Sequence, residues 1–146
     1  MTSPCAERRD TGSAAIEAVI VTPLLIMFLC LAIAAGRLAT AGSKIDAAAE
    51  DASREASISR TASSAQNNAY AAARESLQDQ GVTCAGTSVS VNTGGLSVPV
   101  GQVGTVTVTV RCTVAFSDLL LPGTPGSRTL DSAFTSVVDQ YRQREG

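Results

Sequence analysis

Two hydrophobic periods divide the chain. From Ala18 to Ala35 the run AVIVTPLLIMFLCLAIAA carries no charge. As a helix it would be about 27 Å long, and Ser13 to Gly36 about 36 Å, against a hydrocarbon core of about 30 Å. The segment is long enough to span a bilayer. Pro23, preceded by Thr22, removes one backbone donor, a loss that membrane helices tolerate when a neighbouring hydroxyl or helix compensates, and it predicts a mild transmembrane kink. From Arg37 to Gln80 the chain is Ala-rich and lacks Pro, with no Gly after Gly42, which predicts helix. Leu38, Ala41, Ile45, Ala48, Ala52 and Ala56 recur at spacings of three and four and form a narrow stripe of mostly small side chains. Glu50 and Arg54 add an i,i+4 pair worth only a few tenths of a kcal/mol. The stretch SISRTASSAQNN at 57–68 is poor in helix formers and predicts a bend or break. Tyr70, Ala73 and Leu77 then mark a second helical segment, with Gly81 as its stop.

Beyond Gly81 the period becomes two. TSVSVN at 87–92 and TVTVTVRCTVAF at 105–116 alternate, which places Val106, Val108, Val110, Cys112, Val114 and Phe116 on one face and Thr105, Thr107 and Thr109 on the other. The intervening TGGLSVPVGQVG is rich in turn residues, so the two runs predict a hairpin. After the breaker LPGTPGSR at 121–128, the segment TLDSAFTSVVDQYR reads as a third strand or a C-terminal helix. Its β-branched residues, and the need of a hairpin for a third strand, favour strand, with either Leu130, Ser132 and Phe134 or Ala133, Thr135 and Val137 facing inward. The expected fold is α+β: a long N-terminal transmembrane helix continuing into an extracytoplasmic helix, packed with a small antiparallel sheet of about three strands.

Composition narrows the function. The 146 residues hold three Phe, two Tyr, no Trp and no His, with a formal net charge of −2. Without a basic face or aromatic stacking platforms, nucleic acid is not an expected partner. Without imidazole, and with no close Cys pairs, no metal site is expected, and no cofactor either. The Gly101-Gln-Val-Gly104 and Gly123-Thr-Pro-Gly126 sequences lack the Lys and the strand-to-helix context of a phosphate loop. No nucleophile and base can be named, so the chain is not expected to be an enzyme.

Glu17 bears on how the apolar segment is used. A secretory signal peptide would take Arg8 and Arg9 as its basic region, Val19–Leu31 as its apolar region and Ala32-Ile33-Ala34 as its cleavage site, releasing or anchoring a small β-domain that acts as a binding module. Neither that reading nor a plain signal anchor has a use for an acid at the mouth of the apolar run. Arg8 and Arg9 are balanced by Arg37 and Lys44, so flanking charge does not fix orientation. A carboxylate at the hydrocarbon edge is costly unless paired. Cleavage between Gly12 and Ser13 would create a cationic α-amino group one helical turn from Glu17, suited to pairing between adjacent subunits and to setting their register.

The pattern Arg8-Arg9-Asp10-Thr11-Gly12, then Ser13-Ala14-Ala15-Ile16-Glu17, then an apolar helix, resembles a type IV prepilin signal. More narrowly, RRDTGSAAIEAVIVTPLLI resembles the start of TadE-like proteins, the minor pilins or pseudopilins of the tight-adherence (Flp) pilus system. That family often has Phe after the Glu, where this chain has Ala18. The resemblance implies processing by a prepilin peptidase at the cytoplasmic face. It also implies partnership with other pilins or pseudopilins, with the Tad membrane assembly platform and with membrane lipid. The expected organisation is a cytoplasmic leader over 1–12, a transmembrane helix over 13–36, an extracytoplasmic helical region over 37–80 and a small β-rich domain over 81–146.

The cysteines bear on the compartment. Cys5 lies in the expected leader, and Cys30 lies mid-helix as a small apolar residue. Cys84 precedes the first strand and Cys112 lies near the end of the second, so an antiparallel hairpin would bring them near each other; the alternative is two buried free thiols. A bridge closing this loop of about 29 residues would stabilise by roughly 3.6 kcal/mol in the chain-entropy model, provided the domain lies outside the cytoplasm. Placing Cys84 directly opposite Cys112 puts Val89 opposite Thr107, a register that would call for a bulge or twist near Gly86.

Overall fold

The computed structural model describes residues 10–99, 101–119 and 123–139. The elements run α1 (Asp10–Ile58), α2 (Ala62–Asp79), β1 (Gly86–Asn92), a 3-10 turn (Gly94–Ser97), β2 (Gly104–Ala115), α3 (Phe116–Leu119) and β3 (Ser127–Val138). The fold is α+β. The chain divides into two units, Met1–Gly36 and Arg37–Gly146, and α1 contributes to both.

In the first unit the described side chains leave the apolar surface of α1 open. Val19 is 73% exposed, Phe28 70% and Leu31 69%. So large an uncovered apolar surface is incompatible with water as its only surroundings, and the helix is long and apolar enough to cross a membrane. The Thr22 hydroxyl donates to the Ala18 carbonyl at 2.6 Å, so this polar group is satisfied inside the helix. The carbonyl left without its helical donor by Pro23 is that of Val19, four residues back, so the hydroxyl serves a different acceptor from the one the proline frees.

The second unit is a helical hairpin packed on a three-stranded antiparallel sheet of order β1-β2-β3. The stripe read from the sequence is the buried face of α1: Ala41, Ile45, Ala48, Ala52 and Ala56 are buried, and Leu38 packs at the margin. On α2 the buried face is Ala65, Ala69, Ala73 and Leu77. Of the three residues that mark this segment, Ala73 and Leu77 are buried and Tyr70 is 42% exposed; Ala69 is spaced by four from Ala73, and Tyr70 lies roughly 100° further around the helix. The two helices are tied along their length. Ser76 donates to Asp51 at 2.8 Å and Lys44 to the Gln80 carbonyl at 2.7 Å.

The helix break falls at 59–61, inside the stretch expected to be weak. Ser59 closes α1 by donating to the Glu55 carbonyl. Thr61 then opens α2 with a reciprocal capping box to Ser64, so the Ser and Thr residues that weaken a helix interior here specify a new start. At the far end Gly81, at φ 68°, terminates α2. Its N–H donates to the Gln78 carbonyl and that of Val82 to the Leu77 carbonyl, the paired bonds of a Schellman ending.

β2 is the central strand, and alternate residues Val106, Val108, Val110, Cys112 and Val114 are all buried. The final segment is a strand whose Leu130, Ser132 and Phe134 pair with Cys112, Val110 and Val108, which puts the first of the two sets on the inner face, where Leu130 and Ser132 are half-buried and Phe134 is 40% exposed. Phe116 departs from expectation. The strand ends at Ala115 and Phe116 opens α3, its N–H donating to the Gly126 carbonyl at 3.0 Å while its ring still packs on the core. One polar pair joins helix to sheet: buried Ser53 donates to the Glu50 carbonyl at 2.9 Å, so Ser136 supplies the proton of the 2.7 Å bond between the two hydroxyls.

Small side chains set the spacing of this core. Replacing buried Ala52 by Leu should destabilise the second unit by about 1–3 kcal/mol through overpacking, whereas Ala71→Leu, on the exposed face of α2, should change stability by less than about 0.5 kcal/mol. Denaturant titration of the two variants, followed by a probe in the sheet, measures the difference.

Candidate functional site

The residues singled out at the N-terminus fall on one helix. Gly12 and Ser13 belong to the first turn of α1, where backbone N–H groups have no helical acceptor; their side-chain surroundings, and all of Cys5, Arg8 and Arg9, lie outside the described residues. Glu17 follows Ser13 by four residues, one turn along α1. Its side chain is exposed, and among the described residues it has no hydrogen-bond or ion-pair partner. Pro23 lies within α1. Cys30 is a free, exposed thiol.

In the second unit Cys84 and Cys112 are joined by a disulfide with a Cα–Cα distance of 5.4 Å. The register that accommodates it is not the one with Cys84 opposite Cys112. Thr87 pairs with Cys112 and Val89 with Val110, with consecutive residues paired from Gly86 to Asn92. Cys84 lies before the strand, and the Ala85 N–H bonds the Thr113 carbonyl at 2.8 Å, so the chain reaches Cys112 from outside the ladder with no need of a bulge.

Among the described residues no group of three or more His, Cys, Asp or Glu side chains is placed to hold a metal. The arrangement offers instead an uncovered apolar run of α1 with Glu17 just before it, and a small stapled domain. Two concavities lie in that domain. One runs between α1 and α2 and is lined by acids that include Asp51, Glu55, Glu75 and Asp79. The other lies where α2 ends and β1 begins, and Arg74 lines it. Sequence reading did not find the second, whose only linear trace is the spacing of four that links Tyr70, Arg74 and Gln78.

Residues 12–54 match the model of the TadE-like protein family. The match begins at Gly12, takes in Ser13, Glu17 and Pro23, and continues along the Ala stripe as far as Ala52, stopping within α1 before Ala56, α2 and the sheet. It is the family whose N-terminal pattern the sequence resembles. No curated protein and no solved structure matches the chain. The TadE-like region is thus the long helix, and an uncovered apolar surface of this kind suits that helix to membrane anchoring.

Opening the Cys84–Cys112 bond should lower the stability of the second unit by about 3–4 kcal/mol. The Cys84→Ser/Cys112→Ser double variant should therefore melt well below the parent, and reductant should lower the parent's melting temperature while leaving that of the variant unchanged.

Proposed function

We propose that this chain is a minor pilin or pseudopilin-like membrane protein that serves assembly of a Tad pilus. In this reading a prepilin peptidase cuts between Gly12 and Ser13. The apolar part of α1 then holds the chain in the membrane by lateral packing, and the disulfide-stapled domain lies outside the cytoplasm, where it meets other pilins, pseudopilins or the assembly platform. The role is one of assembly and not of catalysis.

The observation that carries the reading is Glu17. The TadE-like match includes it, and no group of its own chain among the described residues answers its charge. Cleavage after Gly12 would place a free α-amino group on Ser13 and leave Glu17 just beyond the first turn of the shortened helix. The positive end of the helix dipole and the new ammonium would both favour a carboxylate there. Because Ser13 and Glu17 lie one turn apart on the same helix, the ammonium of one subunit can also meet the carboxylate of a neighbour, which would fix their axial register. The disulfide agrees with an oxidising compartment for the second unit.

Intact-mass and N-terminal peptide analysis of protein isolated from its native membrane tests the processing step. The expected mature terminus is Ser13. A chain beginning at Met1 would remove the proposal, and one beginning at Ala35 would support release by an ordinary signal peptidase in its place. The acid has a separate test. Glu17→Ala should still be cut after Gly12 yet fail to enter the assembly, read as loss of the chain from sheared surface fibres or from its co-purifying complex. Undiminished incorporation of cut Glu17→Ala would contradict the pairing role.

A further inference from the structure

The concavity at the junction of α2 and β1 has a volume of about 370 Å³. Its polar lining side chains are Arg74, Gln78, Thr83 and Thr87, and its apolar lining includes Leu77 and Val82. No Asp or Glu lines it. Among the described residues none of these four polar side chains makes a hydrogen bond or ion pair with the rest of the chain. The backbone N–H groups of Thr83 and Cys84, which lie outside helix and strand, likewise have no backbone acceptor there.

Residues with donors that lack acceptors line this concavity, and the Arg74 side chain is partly fixed. Its guanidinium lies over the Tyr70 ring, 5.8 Å from the centroid. Among the described residues no acceptor takes its N–H donors, and their fork matches the two oxygens of a carboxylate. The Gln78 amide and the Thr83 and Thr87 hydroxyls can donate to the same group. Half-buried Val82 offers an apolar contact suited to the methylenes that carry a side-chain carboxylate, while Leu77 in the same lining is held in the core. The space accommodates about one such side chain with its flanking backbone. The other concavity of this unit is lined by four acids and one cation, Arg54, so its charge balance is the opposite and disfavours such a group.

We infer that the junction of α2 and β1 is a docking site for an acidic peptide segment of another protein chain, with one carboxylate held by Arg74 and supported by Gln78, Thr83 and Thr87. Charge complementarity selects the occupant, since the lining offers a cation and neutral donors and no anion. The disulfide holds the site's geometry by tying Cys84, which also lines the concavity, to the central strand. This inference concerns residues 74–87 and does not depend on the N-terminal processing proposed above, so either can fail without the other.

The test is an amide NMR titration of the isotope-labelled full chain in lipid nanodiscs, with N-acetyl-glutamate N-methylamide as probe and its glutamine counterpart as the uncharged control. The glutamate probe should produce saturable shifts at the Thr83, Cys84 and Thr87 amides and at the Arg74 Nε–H, and the glutamine probe should not. Arg74→Gln should weaken glutamate binding roughly tenfold or more, as expected for loss of a charge-assisted pair. Thr87→Val should weaken it by a smaller factor, with remote amides unmoved in both variants. Absence of saturable shifts, an equal response to the glutamine probe, or unchanged affinity in a folded Arg74→Gln variant would overturn the inference. Tighter saturation of the same amides by inorganic phosphate would also overturn it, by assigning the donors to a phosphate group.

Discussion

A carboxylate at the edge of hydrocarbon has to be answered by a counter-charge, and within its own described chain Glu17 is not answered. The surroundings of this part of α1 are dictated by the same physics. Its apolar side chains are uncovered, so they require lipid or the helices of other subunits, and its one internal hydroxyl at Thr22 is satisfied by the helix itself. Glu17 calls in addition for an external charge. The proposed answer, an amine exposed by cutting after Gly12, makes proteolysis and assembly one electrostatic event. A chain keeping its leader would lack the ammonium, and its acid would oppose close packing of helices in the membrane.

The second unit meets a different constraint, the scarcity of large side chains. Its core is mostly Ala on the helices and Val on the central strand, with Ile45, Leu77 and Leu96 as the larger buried members. Small residues let helix and sheet approach closely, and they bury little apolar area per residue, so backbone pairing and cross-links take a larger share of the stabilisation. The sheet contributes paired ladders of up to twelve residues and the disulfide closes the β1–β2 hairpin. Close approach is explicit at Gly104, where an added Cβ would lie 2.1 Å from the Gly95 carbonyl oxygen. The 3-10 turn can therefore lie directly against the start of β2 only because both positions are glycine.

The most regular patterns were the most legible. Alternation of Val and Thr from Gly104 to Ala115 announces a strand buried on one face, because one period governs every residue there. The Ala stripe at 41–56 is equally plain, for the same reason at a different period. The second helical segment was legible from Tyr70, Ala73 and Leu77, but its full buried face was not, because hydrophobic ranking gives little weight to Ala65 and Ala69, which the spacing from Ala73 and Leu77 buries. The break at 59–61 was located only broadly. Low helix propensity is spread over the whole stretch 57–68, and the reciprocal Thr61–Ser64 cap that fixes the boundary is a matter of geometry. Phe116 looked like a strand residue because it continues the alternation, and the chain turns there into α3. At the N-terminus the motif residues were legible as a linear pattern, which the TadE-like match covers from Gly12 onward. The Arg74 concavity was not legible, because it draws on α2, the Gly81 ending and the entry to β1, which only the fold brings together.

The pairing of Ser13 with Glu17 between neighbouring subunits is the claim on which the proposed role turns. Zero-length carbodiimide coupling of native membranes containing a mixture of isotopically light and heavy chains, followed by peptide mass spectrometry, addresses it directly. The account predicts an amide joining the α-amine of Ser13 to the side-chain carboxyl of Glu17, with light and heavy peptides combined in the same product. Recovery of the Ser13 α-amine uncoupled, or coupled only within a single chain, would contradict it.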